Sequence, residues 1–268
     1  MNWSWRAVPV VLFLAVVGWG AWSVLGSVEE PTEEDWWQPV SGLSWQYQES
    51  GPVDILPGVD LYVLDTGLVT AADIDALRTG GAGVLCSFEA GFVTPGASSQ
   101  VDLVPEQAVG DAVDGISGAR WLDIRDTEGL EPYLDARLDE VVGFGCDGVA
   151  PRSVDAWQHP TAFEFRGNDQ LRYIRFIADM AHEKGLAFAL HNDAEQVERL
   201  VGDVDLIVST GCLTNSRCDL YQPALDLDVP VHVVETRANE SRFCAVGAET
   251  GIEFIGKEPG FGPDRRPC

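Results

Sequence analysis

The chain has 268 residues, 46% of them hydrophobic and 9% aromatic, and its 43 Asp and Glu against 17 Lys and Arg give a formal charge of −26. That aromatic content excludes intrinsic disorder, and the deficit of basic side chains excludes a nucleic-acid binder, whose affinity comes from neutralising phosphates. The length suits one α/β barrel, which commonly takes roughly 200–250 residues.

After Arg6 the chain runs from Ala7 to Gly26 without a charge. About twenty apolar residues can span a bilayer as a helix, which favours a membrane anchor. Ala21-Trp-Ser23 and Val24-Leu-Gly26 also offer the small residues of a cleaved signal peptide, so residues 1–26 read as one or the other, and the remainder as exported. The acidic stretch Glu29-Glu-Pro-Thr-Glu-Glu-Asp35 falls within residues 27–44, read as a solvated linker, and the folded domain is expected over 45–268.

Beyond Trp45, short apolar runs alternate with helical patterns, as βαβ units of a parallel sheet do. The expected strands are 44–48, 61–65, 84–88, 120–124, 148–149, 186–191, 206–209, 231–235 and 252–255. A (β/α)8 barrel uses eight, so one end strand is expected to be spare. The best-defined helix starts at Asn168 as cap, carries Leu171, Ile174, Ile177 and Ala181 on one face, and stops at Gly185.

Six cysteines suit an oxidising compartment. Cys212 and Cys218 enclose a turn-rich loop and could close a short disulfide; a zinc site is the rival, but the C-x-x-C pairs it needs do not occur. Cys244 and Cys268 flank the last segment and could pin the C-terminus. Cys86 and Cys146 each sit beside an expected strand; their pairing stays open, and as free cysteines they would be buried apolar groups. No cofactor or metal is expected.

Polar residues gather at the C-terminal ends of the runs: Asp65, Glu89, Asp123, Pro151-Arg-Ser153, His191-Asn-Asp193, Ser209-Thr210 and Glu235. In a parallel barrel that rim is where active sites are built. Each such residue taken singly more often caps a helix.

The residues resemble glycoside hydrolase family 114, whose characterised members are endo-α-1,4-polygalactosaminidases. The resemblance runs from Trp45 to Cys268 through Trp45-Gln-Tyr-Gln48, Val59-Asp-Leu-Tyr-Val-Leu-Asp65, Val84-Leu-Cys-Ser-Phe-Glu-Ala-Gly91, Ala119-Arg-Trp-Leu-Asp-Ile124, Arg137-Leu-Asp139, Gly145-Cys-Asp-Gly-Val149, Ala181-His-Glu-Lys-Gly-Leu186, Asn192-Asp-Ala-Glu-Gln196, the Cys212/Cys218 pair and the closing Arg265-Arg-Pro-Cys268. It implies a TIM-type barrel acting on, or descended from one acting on, extracellular galactosamine polysaccharide.

Two departures bear on chemistry. Where the family reads G-V-E/D-P-D-N-V-D this chain has Gly148-Val-Ala-Pro-Arg-Ser-Val-Asp155, and where it reads N-E-Q-C this chain has Ser209-Thr-Gly-Cys212. Ala150 and Thr210 thus replace the expected catalytic acids. Neither can move a proton near pH 7, and one general acid or base is worth roughly 10²–10⁴ in rate. His191 also stands where the family usually has Lys, and Glu89 where it has a small hydroxyl.

The leading expectation is an exported barrel that binds amino-sugar polysaccharide through Asp123, Arg152, Asp155, Trp157, His191 and Asn192, with hydrolysis lost or strongly reduced. An alternative keeps hydrolysis through relocated carboxylates, Glu89 with Asp65 or Glu235, beside the new base Arg152. A third is a non-enzymatic surface scaffold. Without residues 1–26 the formal charge becomes −26 − 1 = −27, because Arg6 is the one charged residue removed; such a field attracts a cationic glycan such as de-N-acetylated polygalactosamine.

Overall fold

The computed structural model describes residues 35–94 and 98–268. The apolar run 7–26, and with it the anchor or signal expectation, lies outside the described residues. Among them, no helix is long and apolar enough to cross a membrane.

The strands are β1 (Trp45–Gln48), β2 (Leu61–Asp65), β3 (Gly83–Ser87), β4 (Phe92–Val93), β5 (Val109–Ala112), β6 (Arg120–Leu122), β7 (Gly148–Val149), β8 (Ala187–His191), β9 (Leu206–Thr210), β10 (Val231–Glu235), β11 (Glu253–Gly256) and β12 (Arg266–Pro267). β1, β2, β3, β7, β8, β9, β10 and β11 lie side by side in that order, all parallel, and curl as a TIM-type barrel. A parallel sheet covered on both faces needs continuous apolar runs, and β8 and β10 are buried throughout. Parity then sorts the side chains. Trp45, Tyr47, Leu61, Val63, Leu85, Ala187, Ala189, Leu206, Val208 and Val234 fill the barrel, whereas Tyr62, Leu64, Val84, Phe188, Leu190, Ile207 and Val233 face the helix layer.

The spare strand is not at an end of the series, as the sequence leads one to expect. It is β6, which pairs antiparallel with β4 and β5 in a separate three-stranded sheet inserted between β3 and β7. β5 and β6 are separated only by residues 113–119, so their pairing closes a far shorter loop than a place in the barrel would.

The helices are α1 (Ala71–Thr79), α2 (Thr127–Phe144), α3 (Gly167–Glu183), α4 (Val197–Leu200), α5 (Gln222–Leu225) and α6 (Glu240–Thr250). In α3 the expected stripe of Leu171, Ile174, Ile177 and Ala181 is buried, and Gly185 follows at φ 72°. Its start differs from expectation. Arg166 takes the cap position and donates its backbone N–H to Asp169 at 2.8 Å, which leaves Asn168 inside the first turn. An acid at the third helical position secures that end without the expected Asn168 cap two residues further on.

Among the described residues no ladder joins β1 to β11. Side chains and the C-terminal tail bridge this seam instead: Trp45 Nε1 donates to the Glu253 carbonyl at 3.1 Å, Arg265 Nε to the Trp45 carbonyl at 2.6 Å, and the buried Lys257 Nζ to Gln46 Oε1 at 3.0 Å. A disulfide from Cys244 to Cys268 holds that tail, and Cys212 pairs with Cys218. Cys86 and Cys146, whose pairing the sequence leaves open, are also paired. Their sequence separation of 60 hid the contact, because α2 first has to return the chain to the outer side of β3. Closing such a loop is worth about 4 kcal/mol in the chain-entropy account.

Candidate active site

The C-terminal strand ends form the mouth, and Arg152 lies at its centre. It follows β7 by three residues, and inward parity from Gly148 through Ala150 carries its side chain over the barrel axis, 13% exposed. A parallel bridge to Glu89 extends the β3–β7 pairing to this point. The guanidinium meets Asp65 Oδ2 at 2.5 Å, Glu89 Oε1 at 2.8 Å, Ser87 Oγ at 3.0 Å and Glu49 Oε1 at 3.7 Å. Burial opposes its charge, but Glu89, Glu49 and Asp65 more than offset that, so its pKa is held above the ordinary value. Ser153 Oγ donates to the second oxygen of Glu89 at 2.7 Å. Backbone geometry fixes the segment, because a Cβ at Gly91 would lie 1.8 Å from the Ser153 carbonyl oxygen, so only glycine admits this approach.

A second chain of contacts runs inward. Tyr47 donates its hydroxyl to Glu49, and His191 Nε2 lies 3.2 Å from the same oxygen. Because the Tyr47 hydroxyl donates to Glu49, its oxygen accepts from His191, which takes the Nε2–H tautomer and leaves Nδ1 bare and buried without a partner. Burial first, and the Arg152 charge second, push the imidazole down to about 4 against the pull of Asp155. His191 is therefore neutral near pH 7 and serves as a hydrogen-bond donor to Tyr47. Burial, then Glu49, raises the Tyr47 phenol well above its ordinary value.

The other side of the mouth is built on β8 and β9. Asn192 and Asp193 take left-handed backbone at φ 58° and 48°, and Asn192 Oδ1 accepts from the Thr210 N–H at 2.9 Å. Asp193 is buried; its Oδ1 accepts from Trp157 Nε1 at 2.8 Å and Gln158 Nε2 at 3.1 Å, while Oδ2 has no partner. Burial raises this carboxyl to about 7 although the Trp157 hydrogen bond pulls it down. Asp155 has one ion-pair contact, to His159 at 3.4 Å, and that hydrogen bond raises the imidazole against burial. An opening of about 220 Å³ lies among Asp155, Asn192, Asp193, Ser209, Thr210 and Tyr221. Another, of about 290 Å³, separates Asp65, Glu89 and Arg152 from Tyr133 and Arg137. A larger hollow of about 480 Å³ lies away from the mouth, where Trp36 and His182 both bond Asp205.

Asp65 and Glu89 are thus brought together on one guanidinium, and Asp155, Asn192 and Thr210 on one opening. Glu235 joins neither group. Parity turns it outward from β10, where its carboxylate accepts from Leu213 N–H at 2.7 Å and Thr214 Oγ1 at 2.6 Å and so anchors the loop closed by Cys212–Cys218. Asp123 follows β6 on the inserted sheet, not a barrel strand, and is bound bidentately by Arg125 at 2.7 Å on each oxygen. Ala150 is fully buried inside the barrel. Glu49 was not singled out from sequence, and Asp193 was named at the rim without a role. Period-two counting from Trp45 through Tyr47 would have reached Glu49, whereas burial of Asp193 has no sequence signal. Among the described residues no group of His, Cys, Asp and Glu is arranged to hold a metal ion.

A search of curated protein sequences returns no match. Among solved structures the chain is similar to Aspergillus fumigatus Ega3 in complex with galactosamine, with a TM-score of 0.79 and 23% identity over 87% of this chain and 97% of that one. It is also similar to the glycoside hydrolase domain of PelA from Pseudomonas aeruginosa, with a TM-score of 0.61 and 16% identity over 83% and 96% of the two chains. These likenesses concern the barrel. The model of glycoside-hydrolase family GH114 matches residues 27–260, and the chain belongs to that family.

Proposed function

We propose that this chain is an exported family barrel that binds amino-sugar polysaccharide across the mouth without hydrolysing it. The observation that carries the reading is the state of the mouth: Ala150 and Thr210 stand at the two positions where the family motifs carry acids, and Arg152 holds Asp65 and Glu89 in ion pairs. A glycosidase needs one carboxyl free to give a proton and a second free to attack or to activate water; Asp155 is accessible, but its neighbour Asp193 is 2% exposed and bonded by Trp157 and Gln158, which leaves Asp155 without an accessible second carboxyl. Support for the ligand class comes from the galactosamine complex of the similar Ega3 structure and from the charge of −26. Three disulfides among the described residues suit an exported chain.

The test combines binding and turnover on de-N-acetylated polygalactosamine. The expected result is saturable binding with no reducing ends above blank, and release of reducing ends once Ala150→Glu and Thr210→Glu are introduced together. Turnover by the wild-type chain would overturn the loss of hydrolysis. A second reading, a relocated couple of Asp65 and Glu89, draws on their shared contact with Arg152; it requires that wild-type turnover exist and that Glu89→Gln abolish it.

A further inference from the structure

We infer that Arg152 is a specificity determinant: it occupies, from within the chain, the seat in the acidic mouth that a ligand ammonium would take, and it confines recognition of an amino-sugar's amine to Asp155. This inference rests on the carbohydrate-binding reading above.

Five carboxyl groups border the mouth, and three of them, Glu49, Asp65 and Glu89, converge on the one guanidinium. Ser87 and Ser153 complete the ring with hydroxyls. The ring is what a protonated amine requires of its site: several charged acceptors and a wall of low exposure. Here the cation is supplied in cis, planar and multiply bonded, so a ligand ammonium gains nothing there unless it displaces the whole fork.

Asp155 is in the opposite situation. It lies outside the Arg152 network, contacts only the half-exposed His159, and borders the opening of about 220 Å³ beside Asn192 and Thr210. Asp193 lines the same opening but is 2% exposed, with Oδ1 taken by Trp157 and Gln158 and Oδ2 closed to solvent, so a sugar seated there meets Asp155 as its accessible carboxylate, with amide and hydroxyl groups for its neutral substituents. The mouth therefore discriminates by position: an amine beside Asp155 is favoured, and an amine over Asp65 and Glu89 is not.

The test measures binding of galactosamine and N-acetylgalactosamine to the full chain by titration calorimetry. In the wild type, preference for the free amine is expected and Asp155→Asn should remove it. Arg152→Ala should bind galactosamine at least roughly tenfold more tightly, the scale of one charge-assisted contact, and Asp65→Asn with Glu89→Gln in that background should abolish the gain. Arg152→Gln, neutral and closer in volume, replaces the alanine variant if near-ultraviolet circular dichroism shows that one unfolded. An unchanged galactosamine affinity in a folded, neutral Arg152 variant would overturn the inference, as would a preference insensitive to Asp155→Asn. If the wild-type chain binds no sugar while the Arg152 variant does, the carbohydrate-binding reading fails and the role of Arg152 stands.

Discussion

His191 gives the sharpest physical test of the mouth. Its imidazole is buried, donates to Tyr47 at 3.2 Å, and is held down to about 4 from an ordinary 6.5 by burial and by Arg152. Between those pH values the unfolded chain carries a proton on this residue that the folded chain does not. Stability from this group is therefore fully present above pH 6.5 and is lost as pH falls toward 4. The full span corresponds to about 3 kcal/mol, and about 2 kcal/mol of it is gone by pH 5, at about 1.4 kcal/mol for each pH unit. The whole-protein curve is not the readout, because Asp193, raised to about 7 from 3.8, contributes with the opposite sign over much of the same range. The perturbation is His191→Gln, whose amide keeps a donor for Tyr47 but does not titrate. Urea unfolding of both proteins at about pH 7.5 and about pH 5 should show the wild type losing about 2 kcal/mol more than the variant on acidification. Equal losses would refute the assignment of a neutral, buried His191, and an imidazole that titrates near 6.5 by NMR would refute it independently.

Asp193→Asn should have the mirror effect: the wild type loses stability relative to the variant as pH rises from about 4 to about 7, because the folded carboxyl keeps a proton that the unfolded one gives up, and urea midpoints across that range would show it. Arg152→Ala leaves three carboxylates facing one another in a mostly buried setting, and a loss of about 3–5 kcal/mol is expected in denaturant unfolding. Glu235→Ala strips acceptors from the Leu213 N–H and the Thr214 hydroxyl, so a loss of about 1–3 kcal/mol should come with faster amide exchange confined to the loop between Cys212 and Cys218. Gly91→Ala should displace residues 152–155, since a methyl group cannot sit 1.8 Å from the Ser153 oxygen, and near-ultraviolet spectra with the galactosamine affinity would report the shift.

The sequence by itself determined the barrel and its rim. Continuous apolar runs alternating with helical stripes can be satisfied only by a covered parallel sheet, and the strand bounds 61–65, 148–149 and 231–235 follow from where each run stops at a polar residue or a turn. The same reading located Asp65, Arg152, His191 and Asn192 at strand ends, and the family resemblance added Asp155 and marked Ala150 and Thr210 as substitutions for acids. Tertiary structure decided what these groups do to one another. Placing β6 outside the barrel moved Asp123 onto an insertion, because a short antiparallel pairing closes at lower entropic cost than a distant parallel one. The return of α2 to β3 paired Cys86 with Cys146, a contact across 60 positions that no local pattern records. Parity through β10 turned Glu235 away from the mouth, and burial was the largest cause in raising Asp193 and in lowering His191. Electrostatic character depends on distance and solvent in three dimensions. Arg152 was legible from sequence as a new base near new acids, and only the fold set it on Asp65, Glu89 and Glu49 together.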